Sequence, residues 1–166
     1  MKKIIAVCLL IITVFSLASC GMPTAEVKKD EVKIADMDSK YGLTQMCKDL
    51  HKKEYLPESG IKMASDVIGA ETGYRFDALV GSDVVVIELY EFNTEKLNDT
   101  AKTTIKEIEE KGSFNMLDYK EVPATMSKNG KYMVIYNDAK AQGDKPDKAH
   151  KDRYNAFMKI FNNEKY

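Results

Sequence analysis

Two runs of alternating apolar and polar residues, Gly73–Val80 and Asp83–Phe92, meet at Gly81-Ser82. A period of two marks a half-buried strand, and glycine opening a two-residue loop suits a type II′ hairpin turn. The turn sets Val80 opposite Asp83. Counting outward pairs Ala78 with Val85, Phe76 with Ile87 and Tyr74 with Leu89. These six apolar residues share one face, and the other face pairs Arg75 with Glu88, an attractive cross-strand pair.

Elsewhere the period changes to that of a helix. Leu43, Met46, Cys47 and Leu50 fall at i, i+3, i+4 and i+7, which predicts a helix over about 40–54 that Pro57 ends. A short helical turn is expected around Ala64–Ala70. After the first hairpin a helix is predicted over about 94–111, with Asn93 as its N-cap and Phe92 and Leu97 as a hydrophobic staple. Its buried stripe is Leu97, Ala101, Ile105 and Ile108, and Gly112 stops it.

Asn129-Gly130, the pair favoured in type I′ turns, marks a second hairpin with strands over about 117–128 and 131–137. Its register sets Met126 against Met133 and Ala124 against Ile135. Pro123 has no N–H for a ladder, so its strand belongs at a sheet edge. A polar loop, Asn137–Lys145, then leads to a final helix over about 147–163. The order predicts an α+β fold: an N-terminal helix, then a four-stranded antiparallel sheet from two hairpins in ββα-ββα order. Its helices should lie mainly on one face.

The first twenty residues are different in kind. Lys2 and Lys3 precede an apolar run, Ile4–Phe15, interrupted only by Thr13. About 12 residues suit a secretory h-region and fall short of the roughly 20 that a membrane-spanning helix needs. Leu17-Ala18-Ser19 leads directly into Cys20. This segment resembles the bacterial lipobox, the signal of envelope lipoproteins. The resemblance implies lipidation of Cys20, cleavage before it, and a chain anchored by lipid on the outer side of a membrane. Residues 1–19 would then be the signal peptide, 20–35 a tether and 36–166 a single α+β domain. A flexible tether of that length spans about 20 Å. Alternatively its second half, around Val32 and Ile34, docks as an extra edge strand.

Removing residues 1–19 leaves 147 residues, enough for one domain with a sizeable core. Lys2 and Lys3 leave too, so 23 basic residues stand against 26 acidic ones, a net charge of about −3. That balance carries no footprint for nucleic acid and no polybasic membrane patch. With Cys20 lipidated, Cys47 stands alone and no disulfide can form within the domain.

Candidate chemistry is sparse. No nucleophile elbow, zinc-binding H-E-x-x-H, paired C-x-x-C or phosphate loop is present, and no cofactor is indicated. Cys47 and His51 lie four apart on the first helix, the spacing of a thiolate–imidazole pair or of two metal ligands; the plainer reading is a core cysteine beside a helix-end histidine. The loop Asn137–Gly143 imitates a calcium loop but puts Lys140 where an oxygen ligand is needed. The eight methionines after Met1 are spread through core-facing positions, as core filler is.

One surface stands out. With the first hairpin's core face assigned, Leu79, Val84, Val86 and Tyr90 lie on the other side. The second hairpin leaves Tyr132, Val134 and Tyr136 opposite its Met133/Ile135 face. A sheet with helices on one side normally has a polar outer face. Either this valine- and tyrosine-bearing face is covered within the fold, or it meets a protein or peptide partner or a second copy. The reading that follows is a membrane-anchored, non-enzymatic binding domain; a carboxylate-based hydrolase and a structural subunit of an envelope complex are the alternatives.

Overall fold

The structure is a computed structural model that describes residues 31–116 and 120–166. The signal segment, Cys20 and residues 20–30 of the expected tether lie outside the described residues.

The chain folds as α+β around an antiparallel sheet. Strands β1 (Glu31–Lys33), β2 (Ser59–Lys62), β3 (Thr72–Val80), β4 (Asp83–Glu91), β7 (Thr125–Met126) and β8 (Tyr132–Asn137) form it in the order β1-β2-β3-β4-β8-β7. A separate two-stranded sheet joins β5 (Ser113–Met116) to β6 (Lys120–Pro123). The helices are α1 (Gly42–Lys52), α2 (Asp99–Lys111), the single turn α3 (Ala139–Gln142) and α4 (Lys148–Phe161).

The β3–β4 register is the one the turn chemistry predicts, from Val80↔Asp83 out to Tyr74↔Leu89 and beyond. Gly81 has φ 62°, the left-handed position that a primed turn demands of its first residue. Arg75 Nη1 lies 3.9 Å from Glu88 Oε1. On α1 the predicted stripe of Leu43, Met46, Cys47 and Leu50 is wholly buried.

Several expectations change. The main sheet has six strands rather than four, partly because Glu31–Lys33 pairs with β2 as an edge strand and Ile34 is buried. Within the described residues the fold therefore already includes Glu31–Lys33 and Ile34, ahead of residue 36, as the edge-strand alternative has it. Helix α2 begins five residues later than expected. Asn93 spends its side chain on a turn, accepting the Glu95 N–H at 3.2 Å, and Asn98 is the cap, accepting the Ala101 N–H at 2.8 Å. Both asparagines are competent caps; the backbone of Ala101 packs against Gly69, which sets where the helix docks.

The predicted strand 117–128 is broken in two at Ala124, whose N–H goes to Gly112 O. Pro123 closes β6; Thr125↔Val134 and Met126↔Met133 keep the predicted register, while Ala124 is not paired with Ile135. Of the two turn residues only Gly130 has positive φ, so the connection is wider than a type I′ turn although the register is the same. The polar loop after β8 also contains α3, because Asp138 caps it by accepting the N–H groups of Lys140 and Ala141.

Helices flank both faces rather than mainly one. Helices α1 and α4 pack on the face of Tyr74, Phe76, Ile87 and Leu89, where Phe157 and Phe161 are fully buried. Helix α2 packs on the opposite face, over Tyr90, Phe92 and Met133.

Candidate functional site

Strand β8 lies beside β4 with Glu91↔Tyr132, Leu89↔Val134 and Ile87↔Tyr136. Directly opposed residues share a face. Tyr132, Val134 and Tyr136 therefore belong to the core of the first face, whereas Met133 and Ile135 lie with Tyr90. The seven residues expected to form one interaction face are thus divided between two.

Tyr132, Val134 and Tyr136 are buried under α1 and α4, and Tyr132 is 0 % exposed. Burial pushes the Tyr136 hydroxyl up to about 12. Tyr90 is on the expected face but buried beneath α2. Its ring lies across Gly73, where a Cβ would come within 2.3 Å of it, and its hydroxyl donates to Glu88 at 2.8 Å. Leu79, Val84 and Val86 are the members that remain together on an open surface. Leu79 is 71 % and Val84 59 % exposed, and the two are cross-strand partners at the tip of the hairpin.

The second face is consequently covered at one end and open at the other. The open end continues into a groove of about 430 Å³ between the main sheet and β6. Val86, Ile135, Val122 and Pro123 form its apolar lining, and Arg75, Glu88, Glu121 and Asn137 supply polar groups. The charged groups already have partners within the fold. Arg75 pairs with Asp77 at 3.1 Å as well as with Glu88, and Glu121 accepts from Ser113 Oγ at 2.6 Å. An apolar floor whose charged groups already have partners within the fold suits a contact surface rather than an acid–base centre.

Two polar constellations lie buried elsewhere. Glu91 sits at a core-facing position of β4, 4 % exposed, where the alternation calls for an apolar residue. Its Oε2 accepts the Leu43 N–H at 2.8 Å in the first turn of α1, and its Oε1 meets Lys131 Nζ at 3.0 Å. Anionic oxygen at a helix N-terminus satisfies N–H groups that have no intrahelical partner.

The second is built on His150. Its Nδ1 lies 2.9 Å from Asp138 Oδ2, and its Nε2 is 3.5 Å from Asp83 Oδ2. Asp83 is in turn held by Lys140 Nζ at 2.7 Å, and that hydrogen bond keeps its carboxyl below the usual range. A carboxylate orienting an imidazole is one part of a catalytic relay, but among the described residues no hydroxyl or thiol hydrogen-bonds to Nε2. The group instead ties α4 to the cap of α3 and to the β3–β4 turn. Sequence reasoning missed both constellations. Only the polar residue interrupting β4's inward alternation signalled Glu91, and nothing local linked Asp138 to His150.

Cys47 and His51 do not form a reactive pair. His51 Nδ1 lies 2.9 Å from Leu56 O, closing the chain after α1, while Cys47 is fully buried. Burial pushes its thiol far above the ordinary range. Cys47 is accordingly expected to resist thiol reagents in the folded chain and react on denaturation; Cys47→Ala should cost about 1 kcal/mol. Rapid labelling under native conditions would contradict this placement. Among the described residues no cluster of three or more His, Cys, Asp or Glu side chains is arranged to hold a metal ion. Compared with protein-family models, curated proteins and solved structures, the chain gives no match.

Proposed function

We propose that this chain is a bacterial envelope lipoprotein, anchored by lipid on Cys20 to the outer side of a membrane, whose domain binds a protein or peptide partner without catalysing a reaction. The address rests on Lys2-Lys3, the apolar run Ile4–Phe15 and Leu17-Ala18-Ser19-Cys20. Stable anchoring takes two acyl chains, since one holds a chain only marginally. Cys20→Ser is expected to abolish lipidation and move the protein out of the detergent-phase membrane fraction. An unmodified N-terminus at any residue other than Cys20, read by mass analysis of the unsubstituted chain, would remove the anchor.

The observation that carries the binding role is the open end of the second face, where Leu79 and Val84 expose apolar side chains side by side and Val86 continues the row into the groove. Large exposed aliphatics that neighbour one another on a sheet mark contact surfaces more often than scattered ones do. Val84→Asp is expected to weaken partner association by roughly tenfold or more while changing stability by less than about 0.5 kcal/mol, the range of surface substitutions. Crosslinking in intact cells followed by mass spectrometry identifies the partner and scores the variant. Unfolding of Val84→Asp would instead assign this end of the face to the core.

A further inference from the structure

The strand registers lay out the second face as rows. Glu31, Ile61, Arg75, Glu88 and Ile135 stand side by side from β1 across to β8. The next row toward the hairpin tip holds Asp77, Val86 and Asn137, and Leu79 and Val84 lie beyond it. Helix α2 covers Tyr90 and Met133, so these rows are the open part of the face.

Two hollows lie in it, with Arg75 in the wall of both. One is the groove of about 430 Å³ toward β6, where Glu88 and Glu121 sit among Val86, Ile135, Val122 and Pro123. The other, of about 310 Å³, has Glu31 and Asp77 beside Pro57 and Ile61.

The charges around these hollows do not balance. Arg75 is the counter-charge of both Asp77 and Glu88, at 3.1 Å and 3.9 Å. Glu31 and Glu121 accept from the hydroxyls of Ser59 and Ser113, which are neutral. Lys33 shares the face and pairs with Glu58 at 3.7 Å. Among the described side chains the face therefore carries five carboxylates against two cations, an excess of about three negative charges. The whole chain from Cys20 onward has a net charge of about −3, so the remainder of it is balanced.

Aliphatic walls with carboxylates among them fit a side chain that is apolar along its length and cationic at its end. Lysine and arginine are built that way, laying the methylene stem on apolar surface while the head meets charge or water. An acidic segment is repelled, and a neutral one leaves the negative excess without a complement.

We propose that the open face binds a basic segment of a protein partner, its lysine or arginine side chains entering the two hollows and its aliphatic residues covering Val86, Val84 and Leu79. This rests on the binding role proposed above and names the chemistry of the partner. Each hollow holds two carboxylates, and Arg75 stands between them, so the incoming cations lie to either side of the guanidinium rather than against it.

The test measures fluorescence anisotropy of short labelled peptides on the full-length chain, with alternating lysine–valine, lysine–serine and glutamate–valine sequences. The lysine–valine peptide is expected to bind roughly tenfold or more tighter than the other two, and to weaken as salt screens the face. Glu121→Lys and Glu31→Lys, one in each hollow, should each lower that affinity by roughly tenfold. Glu109→Lys, the same change of charge on the exposed side of α2, should leave it unchanged. All three positions are exposed, so the thermal midpoint should hold in each variant. Glutamate–valine binding as tightly as lysine–valine keeps a binding face and overturns its basic partner. Lysine–serine binding as tightly, or an equal loss from Glu109→Lys, reduces the effect to general charge attraction and overturns the hollows. Binding of no peptide also overturns the basic partner, and crosslinking with Val84→Asp then decides the binding role separately.

Discussion

Replacing Glu91 by alanine is expected to lower the stability of the fold by about 3 kcal/mol, at the lower end of what breaking a buried ion pair costs. For a domain of this size that is a fall of roughly 10 °C in the thermal midpoint. The carboxylate is 4 % exposed and has two partners, the Leu43 N–H and the Lys131 ammonium. Truncation takes the acceptor from the first turn of α1 and leaves the lysine without its counter-charge. Lys131 can swing toward water, since a third of its side chain is exposed. The Leu43 N–H cannot, because Leu43 is fully buried. Most of the loss therefore belongs to the helix start, and Glu91→Gln, which keeps an acceptor there, should lose about half as much. Thermal unfolding of the two variants, with amide exchange at Leu43 as the local readout, checks the assignment. Equal losses for alanine and glutamine would move the weight to the charge pair with Lys131.

Asp138→Ala carries the second large effect, also about 3 kcal/mol. It removes the cap of α3 and the partner of His150 Nδ1 together, both inside the fold. Loss of an N-cap alone costs about 1 kcal/mol, so the remainder measures the tie to His150. A double-mutant cycle with His150→Ala isolates that tie, and a coupling of about 1–2 kcal/mol is expected for buried residues in direct contact. Lys140→Ala, which touches only the exposed side of the cluster at Asp83, is expected to have a small effect, as surface pairs do. A cycle with no coupling would mean that α4 docks through its aromatic residues alone. Phe157, stacked on Phe161 and edge-on to Tyr136, gives it that second hold.

Where the chain's chemistry is local, the residues alone determine the structure. Gly81-Ser82 sets the β3–β4 register, which then brings Arg75 to Glu88 and separates the core face from the open one. The stripe of Leu43, Met46, Cys47 and Leu50 defines the buried side of α1. Gly112 ends α2 in the left-handed conformation, its N–H on Ile108 O. Each is an interaction within one turn, one hairpin or one helix face, so its energy is set by neighbours a few residues away.

The expectations that change most are inferences joining two such units. The faces of the second hairpin were assigned from its own alternation, and that alternation is apolar on both sides: Met133 and Ile135 on one, Tyr132, Val134 and Tyr136 on the other. No local rule can choose between them. Pairing of β8 with β4 chooses, by setting Val134 opposite Leu89 and so sending the tyrosines beneath α1 and α4. The same holds for the start of α2, where two good caps compete and packing against Gly69 selects Asn98. It holds again for Asp138 and His150, which meet only because α4 folds back past the β3–β4 turn. Of the seven residues read as one surface, Leu79, Val84 and Val86 stay together because one hairpin carries them all. The residues by themselves determined the pairs and faces within each element; the sheet order and the helices laid over it decided which faces became core, because burial depends on partners far away along the chain.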